Sequence, residues 1–441
     1  KNFFINISFI YFFFSITILF YLLYRSFFVD ESYNGAFYNK YYVIPSILIL
    51  ISSISYFFSN KLKKDSLVIS FITIIIIYFF ELVFFIKEDF IDKRDYRSKY
   101  DFYNDLKQKN IDPVVAIAPY TSIDRTMNIS SLFPLAGISN KFTILCNENG
   151  FFSHYISDRH GFNNDNNLWD QQLDYVFLGD SFVLGSCVNP KDNFVGIFNS
   201  QNKNISALNL GYRSNGPLIE LATLKEYSNK ISYKNIVWTY YEGNDLSNLK
   251  DEKDNIILKK YLSYDFSQKL FNDQKRIDNY LNDILENEIK NLENDNKSIN
   301  QESSFFKFIK IYRVRSFLTN KFINTSFQTK KSFTISEFNL FKEIILEAKD
   351  FSEKNNSNFI FVYLPSIERI LNNNLKSNEF FFDDLILFLE ENNISYIDTF
   401  NGLIKEYKNR RSLLAKYQIP GHFSVHGYKF IGEFIARSLL N

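Results

Sequence analysis

The chain has 441 residues, enough for a membrane region beside one large domain or for two modest domains. Its 50 Lys and Arg against 49 Asp and Glu leave a net charge of +1, which removes any bulk electrostatic case for a nucleic-acid partner. Only two cysteines occur, Cys146 and Cys187, without the Cys/His spacing of a zinc site; export would favour a disulfide between them, and two buried free thiols are the other reading.

Asn2–Tyr24 and Tyr41–Asn60 carry no charge, and Ser66–Ile86 carries only Glu81. About 20 apolar residues cross the ~30 Å hydrocarbon layer, so residues 1–90 are predicted to hold three transmembrane helices. The first run is too long for a cleaved signal peptide and lacks a small-residue cleavage site after Tyr24. Glu81, six residues before Lys87, is expected to reach the membrane interface rather than to act inside the bilayer. Lys61, Lys63 and Lys64 favour a cytoplasmic second loop and an extracytoplasmic C-terminal domain, against the later cluster of Lys87, Lys93, Arg94, Arg97 and Lys99. The expected location is a bacterial inner membrane.

Residues 91–173 read as a loop-rich lead-in, with a polar helix from Asp95 to Asn110 and a short strand between Pro113 and Pro119. His160, in Arg159-His-Gly-Phe162, is expected to pack rather than to react. From Asp174 the chain alternates: strands at Tyr175–Leu178, Asn204–Leu210, Asn235–Tyr241, Asn358–Tyr363 and Ile394–Ile397, and helices at Pro217–Asn229, Ser336–Lys354, Asp383–Asn392 and Gly427–Leu440. Strands that are apolar throughout and separated by helices predict a three-layer α/β domain on a parallel sheet, with its site at the carboxyl ends of the strands.

Those ends carry chemistry. Ser181 follows the first strand and would be the nucleophile, its own N–H at a helix mouth where an oxyanion can be held. Gly211 ends the second strand and Asn244 follows the third, and each can supply a further oxyanion donor. His422 precedes the last helix and is one of only four histidines, so it is the candidate base. His426, four residues on, lacks a third ligand for a metal, and no metal or other cofactor is expected. Glu242 and Asp245 are expected to shape the turn presenting Asn244 rather than to form a carboxylate pair for glycoside cleavage.

The four blocks Gly179-Asp-Ser-Phe182, Asn209-Leu-Gly211, Gly243-Asn-Asp245 and Gly421-His-Phe-Ser-Val-His-Gly427 resemble, in order, the signature of the SGNH (GDSL-type) hydrolase superfamily. The resemblance covers about residues 174–440 and implies a flavodoxin-like domain that cleaves or transfers ester-linked acyl groups through Ser181 and His422. There are two departures. Glu242 stands where the third block usually has glycine, and Pro420 and Ile419 stand where the family's acid commonly precedes the histidine. Asp398, after the last strand, is a candidate orienting acid, and a turn-capping role is its alternative.

The domain 174–441 carries an insertion at about 246–333. Within it Gln268–Leu292 has an apolar stripe at helical spacing, and Phe305–Phe317 mixes aromatics with cations. The second segment could be a lid or lie on anionic lipid; the plainer expectation is that both segments pack their apolar sides on the domain. Membrane attachment beside such a domain resembles enzymes that add or remove O-acyl groups on polysaccharides or lipid-linked glycans. The expected partners are thus the lipid bilayer and an acylated glycan or other ester. The competing expectation is a non-catalytic module of the same fold that binds a glycan or scaffolds a membrane assembly, motivated by the missing local acid.

Overall fold

The structure is a computed structural model describing residues 2–24, 26, 39–87, 94–123, 132–201, 204–263, 265–300, 304–318, 333–371, 381–418 and 421–440. It divides into two compact units, Lys1–Ile91 with Ser304–Lys321, and Asp92–Ser303 with Phe322–Asn441.

The first unit holds helices Asn2–Tyr24, Asn39–Ser55 and Asn60–Ile86. Among the described residues one helix, Asn60–Ile86, is long and apolar enough to cross a membrane. For the other two predicted crossings the apolar stretches among the described residues are Tyr11–Tyr24 and Pro45–Ser55, each shorter than that. The second helix has 17 residues and contains Pro45; at ~1.5 Å per residue it spans about 25 Å, less than the hydrocarbon layer. Helix Asn60–Ile86 starts where the Ser59 hydroxyl accepts the Leu62 N–H, and its 27 residues reach about 40 Å.

In the second unit five parallel strands form the main sheet in the order β5-β4-β6-β7-β8, where β4 is Gln172–Leu178, β5 Ala207–Asn209, β6 Ser232–Tyr241, β7 Asn358–Leu364 and β8 Ser395–Asp398. The inner parts of these strands, such as Val176–Leu178, Ile236–Trp238 and Phe361–Leu364, are buried, as expected for a sheet covered by helices on both faces. Chain order along the sheet is 2-1-3-4-5, so the direction of winding reverses between β4 and β6. Ligands of doubly wound sheets bind in the crevice at that reversal, outside the carboxyl ends of the strands. Ser181 follows β4 and Asn244 follows β6, one on each side of it.

The described residues of the lead-in 91–173 hold more regular structure than the predicted helix and strand. They form a second sheet of β1 (Pro113–Val115), β2 (Phe142–Ile144) and β3 (His154–Ile156), with β1 parallel to β2 and β2 antiparallel to β3. Strands of three residues are too short to show a period, which is why the segment reads as loop. Helix Lys99–Gln108 opens on a capping box between Ser98 and Asp101.

The amphipathic stretch of the insertion forms helix Gln274–Asn300; Ile277, Leu281 and Ile284 of its stripe are buried in the main core, and Ile289 packs on the smaller cluster that holds Tyr103 and Leu106 of helix Lys99–Gln108. The aromatic and cationic stretch departs from expectation. It forms two short helices, Ser304–Ile309 and Tyr312–Leu318, that belong to the first unit and pack on Asn60–Ile86 instead of on the domain. Residues 301–303 and 319–332 of the insertion lie outside the described residues.

Candidate active site

Strand β4 ends at Leu178, and Gly179-Asp-Ser turns directly into the short helix Ser181–Leu184. Asp180 is its N-cap: one carboxylate oxygen accepts the Phe182 N–H at 2.8 Å. In a helix this short the last carbonyls have no intrahelical partners: Ser181 O accepts the Gly185 and Ser186 N–H groups, and buried asparagines serve Val183 and Leu184. Asn209 donates to Val183 O at 2.8 Å, and Asn163 and Asn193 donate to Leu184 O at 3.0 and 3.3 Å. Gly185 closes the helix in the left-handed region, φ +84°, where a Cβ would also lie 2.2 Å from the Asn193 Cβ. Ser181 is thus held on a rigid elbow with 8% of its surface exposed.

His422 reaches this serine from the opposite end of the domain. Ala415 N–H donates to His422 O at 2.9 Å and Ser424 N–H to Leu413 O at 2.8 Å, and the Ser424 hydroxyl donates to Ser412 O at 2.6 Å. The histidine therefore sits on a short antiparallel pairing that includes the Leu414–Phe423 bridge. Phe182 packs against both His422 and Phe423, with ring centroids 5.1 and 4.7 Å away. His422 Nε2 lies 2.9 Å from Ser181 Oγ. Asp180 Oδ2, the competing acceptor for that hydroxyl, lies at 3.4 Å, so geometry favours the imidazole.

The partner of His422 Nδ1 is Glu148, at 3.1 Å from both carboxylate oxygens. Glu148 Oε2 also accepts the His422 backbone N–H at 2.6 Å. No local pattern in the sequence marks this residue, since Pro420 and Ile419 occupy the positions before His422 where an acid is expected; both lie outside the described residues. It comes instead from the turn after β2, in the lead-in. Asp398, the sequence candidate, is committed elsewhere: its carboxylate accepts the N–H groups of Phe400 and Asn401 at 2.9 and 3.1 Å and the Asn401 amide at 2.7 Å. It caps a turn, so its proposed orienting role passes to Glu148.

Burial pushes the Glu148 carboxyl up, but the hydrogen bond and charge of the His422 ring, the His422 N–H and the Arg213 guanidinium outweigh it, and the group is held below its usual value of 4.5. It is the ionised partner that an imidazole needs on Nδ1. With an acceptor-only carboxylate on that side, Nδ1 carries the proton and Nε2 is free to accept from Ser181.

Glu148 is held in place by a covalent tie. Cys146 and Cys187 form a disulfide across 41 residues, so of the two readings open in the sequence the paired one holds. Asn149 adds to it by donating to Cys187 O at 2.9 Å and Phe423 O at 3.2 Å. Replacing both cysteines with serine is expected to lower stability by about 2–4 kcal/mol, the usual cost of losing a native disulfide that closes a loop of this size. The loss should appear as a lower thermal midpoint of the purified protein under non-reducing conditions, and an unchanged midpoint would mean that the tie is structurally idle. Ligand atoms of Cys146, Glu148, Cys187 and His422 lie within 4.8 Å of one another, but the two sulfurs are bonded together and the other two groups already face each other. In this state the cluster presents no open set of metal donors.

The oxyanion candidates differ among themselves. The Ser181 N–H is the first of its helix and has no intrahelical acceptor. Asn244 donates its amide to Asp180 Oδ2 at 3.3 Å, a long bond that an oxyanion can compete for. The Gly211 N–H is given to Asn209 Oδ1 at 2.9 Å. Glycine at 211 has a separate steric reason, because a Cβ there would lie 2.5 Å from the Val183 Cβ and 2.7 Å from the Leu184 N. Asp245 shapes the turn, as expected, whereas Glu242 binds the segment after β7. Glu242 pairs with Arg369 and accepts the Ser366 N–H at 2.8 Å, and Asp245 accepts the Tyr241 N–H at 2.7 Å. His160 is buried among Trp169, Tyr227 and Phe271, and burial lowers it to about 4. His426 Nε2 is hydrogen-bonded with the Tyr407 hydroxyl at 2.8 Å. Neither takes part in the site.

No family model and no curated protein matches the sequence. Among solved structures, the chain is similar to a member of the lipolytic protein G-D-S-L family from Veillonella parvula, with 10% identity, a TM-score of 0.34, and coverage of 61% of this chain and 99% of that one. It is also similar to a lipase/acylhydrolase from Enterococcus faecalis, with 13% identity, a TM-score of 0.32, and coverage of 61% and 95%. The chemistry below rests on the geometry of this site alone.

Proposed function

We propose that this chain is a membrane-attached serine esterase of SGNH type that works through an acyl-enzyme on Ser181. The observation that carries the reading is the continuous chain Ser181 Oγ, His422 Nε2, His422 Nδ1, Glu148, with spacings of 2.9 and 3.1 Å. In the first half-reaction Ser181 Oγ bonds to the ester carbonyl carbon as its proton passes to His422 Nε2. The tetrahedral oxyanion is met by the Ser181 N–H and the Asn244 amide. His422 then returns the proton to the departing alcohol oxygen as that bond breaks. In the second half-reaction an acceptor hydroxyl loses its proton to His422 and attacks the acyl carbon, and His422 returns that proton to Ser181 Oγ as the acyl–Oγ bond breaks. Water as acceptor gives hydrolysis, and a sugar hydroxyl gives O-acyl transfer; a polysaccharide or lipid-linked glycan is the substrate class we propose. Helix Asn60–Ile86 supports attachment to the bacterial inner membrane, with the domain placed on the outer side where a disulfide persists.

The non-catalytic alternative drew its force from a missing acid, and Glu148 removes that motive. The test is labelling of the purified full-length protein with a fluorophosphonate probe, which reacts with activated serines. Labelling of the wild type that disappears in Ser181→Ala and falls steeply in His422→Ala is the expected result. A folded wild type that stays unlabelled from pH 6 to 9 would overturn the esterase reading in favour of a binding module.

A further inference from the structure

Glu81 is not turned out to water at the end of its helix. It is fully buried on helix Asn60–Ile86, and its carboxylate accepts the backbone N–H groups of Arg313 and Val314 at 3.2 and 2.9 Å. The Arg313 guanidinium stands 3.6 Å away and lies over the Phe85 ring. A carboxylate removed from water costs several kcal/mol unless it is paired and hydrogen-bonded, and here all its partners come from one short segment more than 200 residues downstream. The exchange is mutual, since those two N–H groups open helix Tyr312–Leu318 and would otherwise lack acceptors. Tyr78, one turn before Glu81, donates its hydroxyl to Ile309 O at 2.8 Å, and Phe84 packs on Phe317 at 5.2 Å. The two short helices are therefore clamped along the last two turns of the spanning helix.

Their outer side is apolar. Phe305, Phe306, Ile309, Phe317 and Leu318 are 45–67% exposed, on a unit whose longest helix is itself almost entirely uncovered by protein. Water is a poor neighbour for such a surface. Glu81 lies five residues before Ile86, about 8 Å along the helix axis from its end, which is the depth at which amphipathic segments sit between headgroups and acyl chains. Arg315 is exposed on the same hairpin, and its long stem can carry charge out to lipid phosphates.

We propose that the connection between β6 and β7 returns to the membrane, where residues 304–318 form a lipid-embedded hairpin latched to the spanning helix by Glu81 and Arg313, with acyl chains covering its aromatic face. The connection leaves the sheet just after Asn244, so the candidate ester site is tied by chain to the bilayer at two points rather than one. The proposal rests on the reading of Asn60–Ile86 as a bilayer crossing, and the test separates the two. Single cysteines at Phe306, Leu318, Ile75 and Leu387 are labelled with an environment-sensitive fluorophore under non-reducing conditions in full-length protein reconstituted into liposomes. Quenching is then read with spin-labelled lipids and with aqueous iodide. We expect positions 306 and 318 to be quenched by lipid at least twofold and shielded from iodide, as at 75, while 387 in the domain answers only to iodide. Iodide access at 306 and 318 with lipid quenching at 75 would overturn the hairpin and leave the crossing standing. Absence of lipid quenching at 75 would overturn the crossing and the hairpin together. Glu81→Leu should open 306 and 318 to iodide while 75 stays shielded; unchanged shielding at 306 and 318 would overturn the latch.

Discussion

Ser181→Ala and His422→Ala are each expected to lower ester turnover by about 10⁶-fold, and the double variant to be no slower than either single one. The size follows from the division of labour in the site. Without Ser181 no acyl-enzyme can form, and without His422 the hydroxyl 2.9 Å away keeps its proton, so each loss removes the same covalent step. The residual rate over water would come from the Ser181 N–H, the Asn244 amide and binding of the ester, none of which depends on the missing group. Turnover of a chromogenic short-chain ester by the four proteins checks this. If the two effects multiplied instead, Ser181 and His422 would be acting in separate steps, and the proton path drawn between them would be wrong. Both substitutions remove side chains from a braced loop, not from the sheet, so thermal midpoints should stay within a few degrees of wild type.

Much of this site was legible because it lies where a parallel sheet must present it. The apolar runs leading to Leu178 and Tyr241 identify strands, and a strand end beside the winding reversal is where Ser181 and Asn244 had to appear. His422 was legible from its rarity and its place before the last helix. Glu148 was not, because its position depends on a long-range contact that no local pattern encodes. The strands β1 to β3 that build its turn have three residues each, and its neighbour in space, His422, is 274 residues away in sequence. One signal existed. Reading Cys146 and Cys187 as a pair would have drawn Glu148, two residues from one, toward Ser181, six residues from the other. The packing of the first unit is hidden from the sequence for a related reason. Composition identifies apolar runs, but the return of residues 304–318 to helix Asn60–Ile86 is fixed by Glu81 and Arg313, a pairing that becomes visible only when the chain is folded.

Glu148→Gln is expected to lower turnover by about 10⁴-fold while leaving substrate binding almost unchanged. The reason is a proton on the wrong nitrogen. Glu148 accepts twice from the same residue, from the His422 backbone N–H at 2.6 Å and from the ring at 3.1 Å. A glutamine has one accepting oxygen and one donating NH₂. With its oxygen kept on the shorter backbone bond, its NH₂ takes the other position 3.1 Å from Nδ1, so one of the two acceptors there becomes a donor and the tautomer with the proton on Nε2, the atom that must receive the proton of Ser181, is favoured. The variant also lacks the negative charge that stabilises the imidazolium as it forms. A purely structural role for Glu148 predicts a different outcome, with a lower thermal midpoint and little change in turnover of the folded fraction. The pH dependence of stability gives an independent check. Because Glu148 is held below 4.5 in the folded protein, its contribution is complete at pH values above 4.5 and is lost as pH falls through the folded value. The stability gap between wild type and Glu148→Gln should therefore be constant at neutral pH and close under acid. A gap that widened under acid would mean that the carboxyl is held above its usual value, and the orienting role assigned to it would fail.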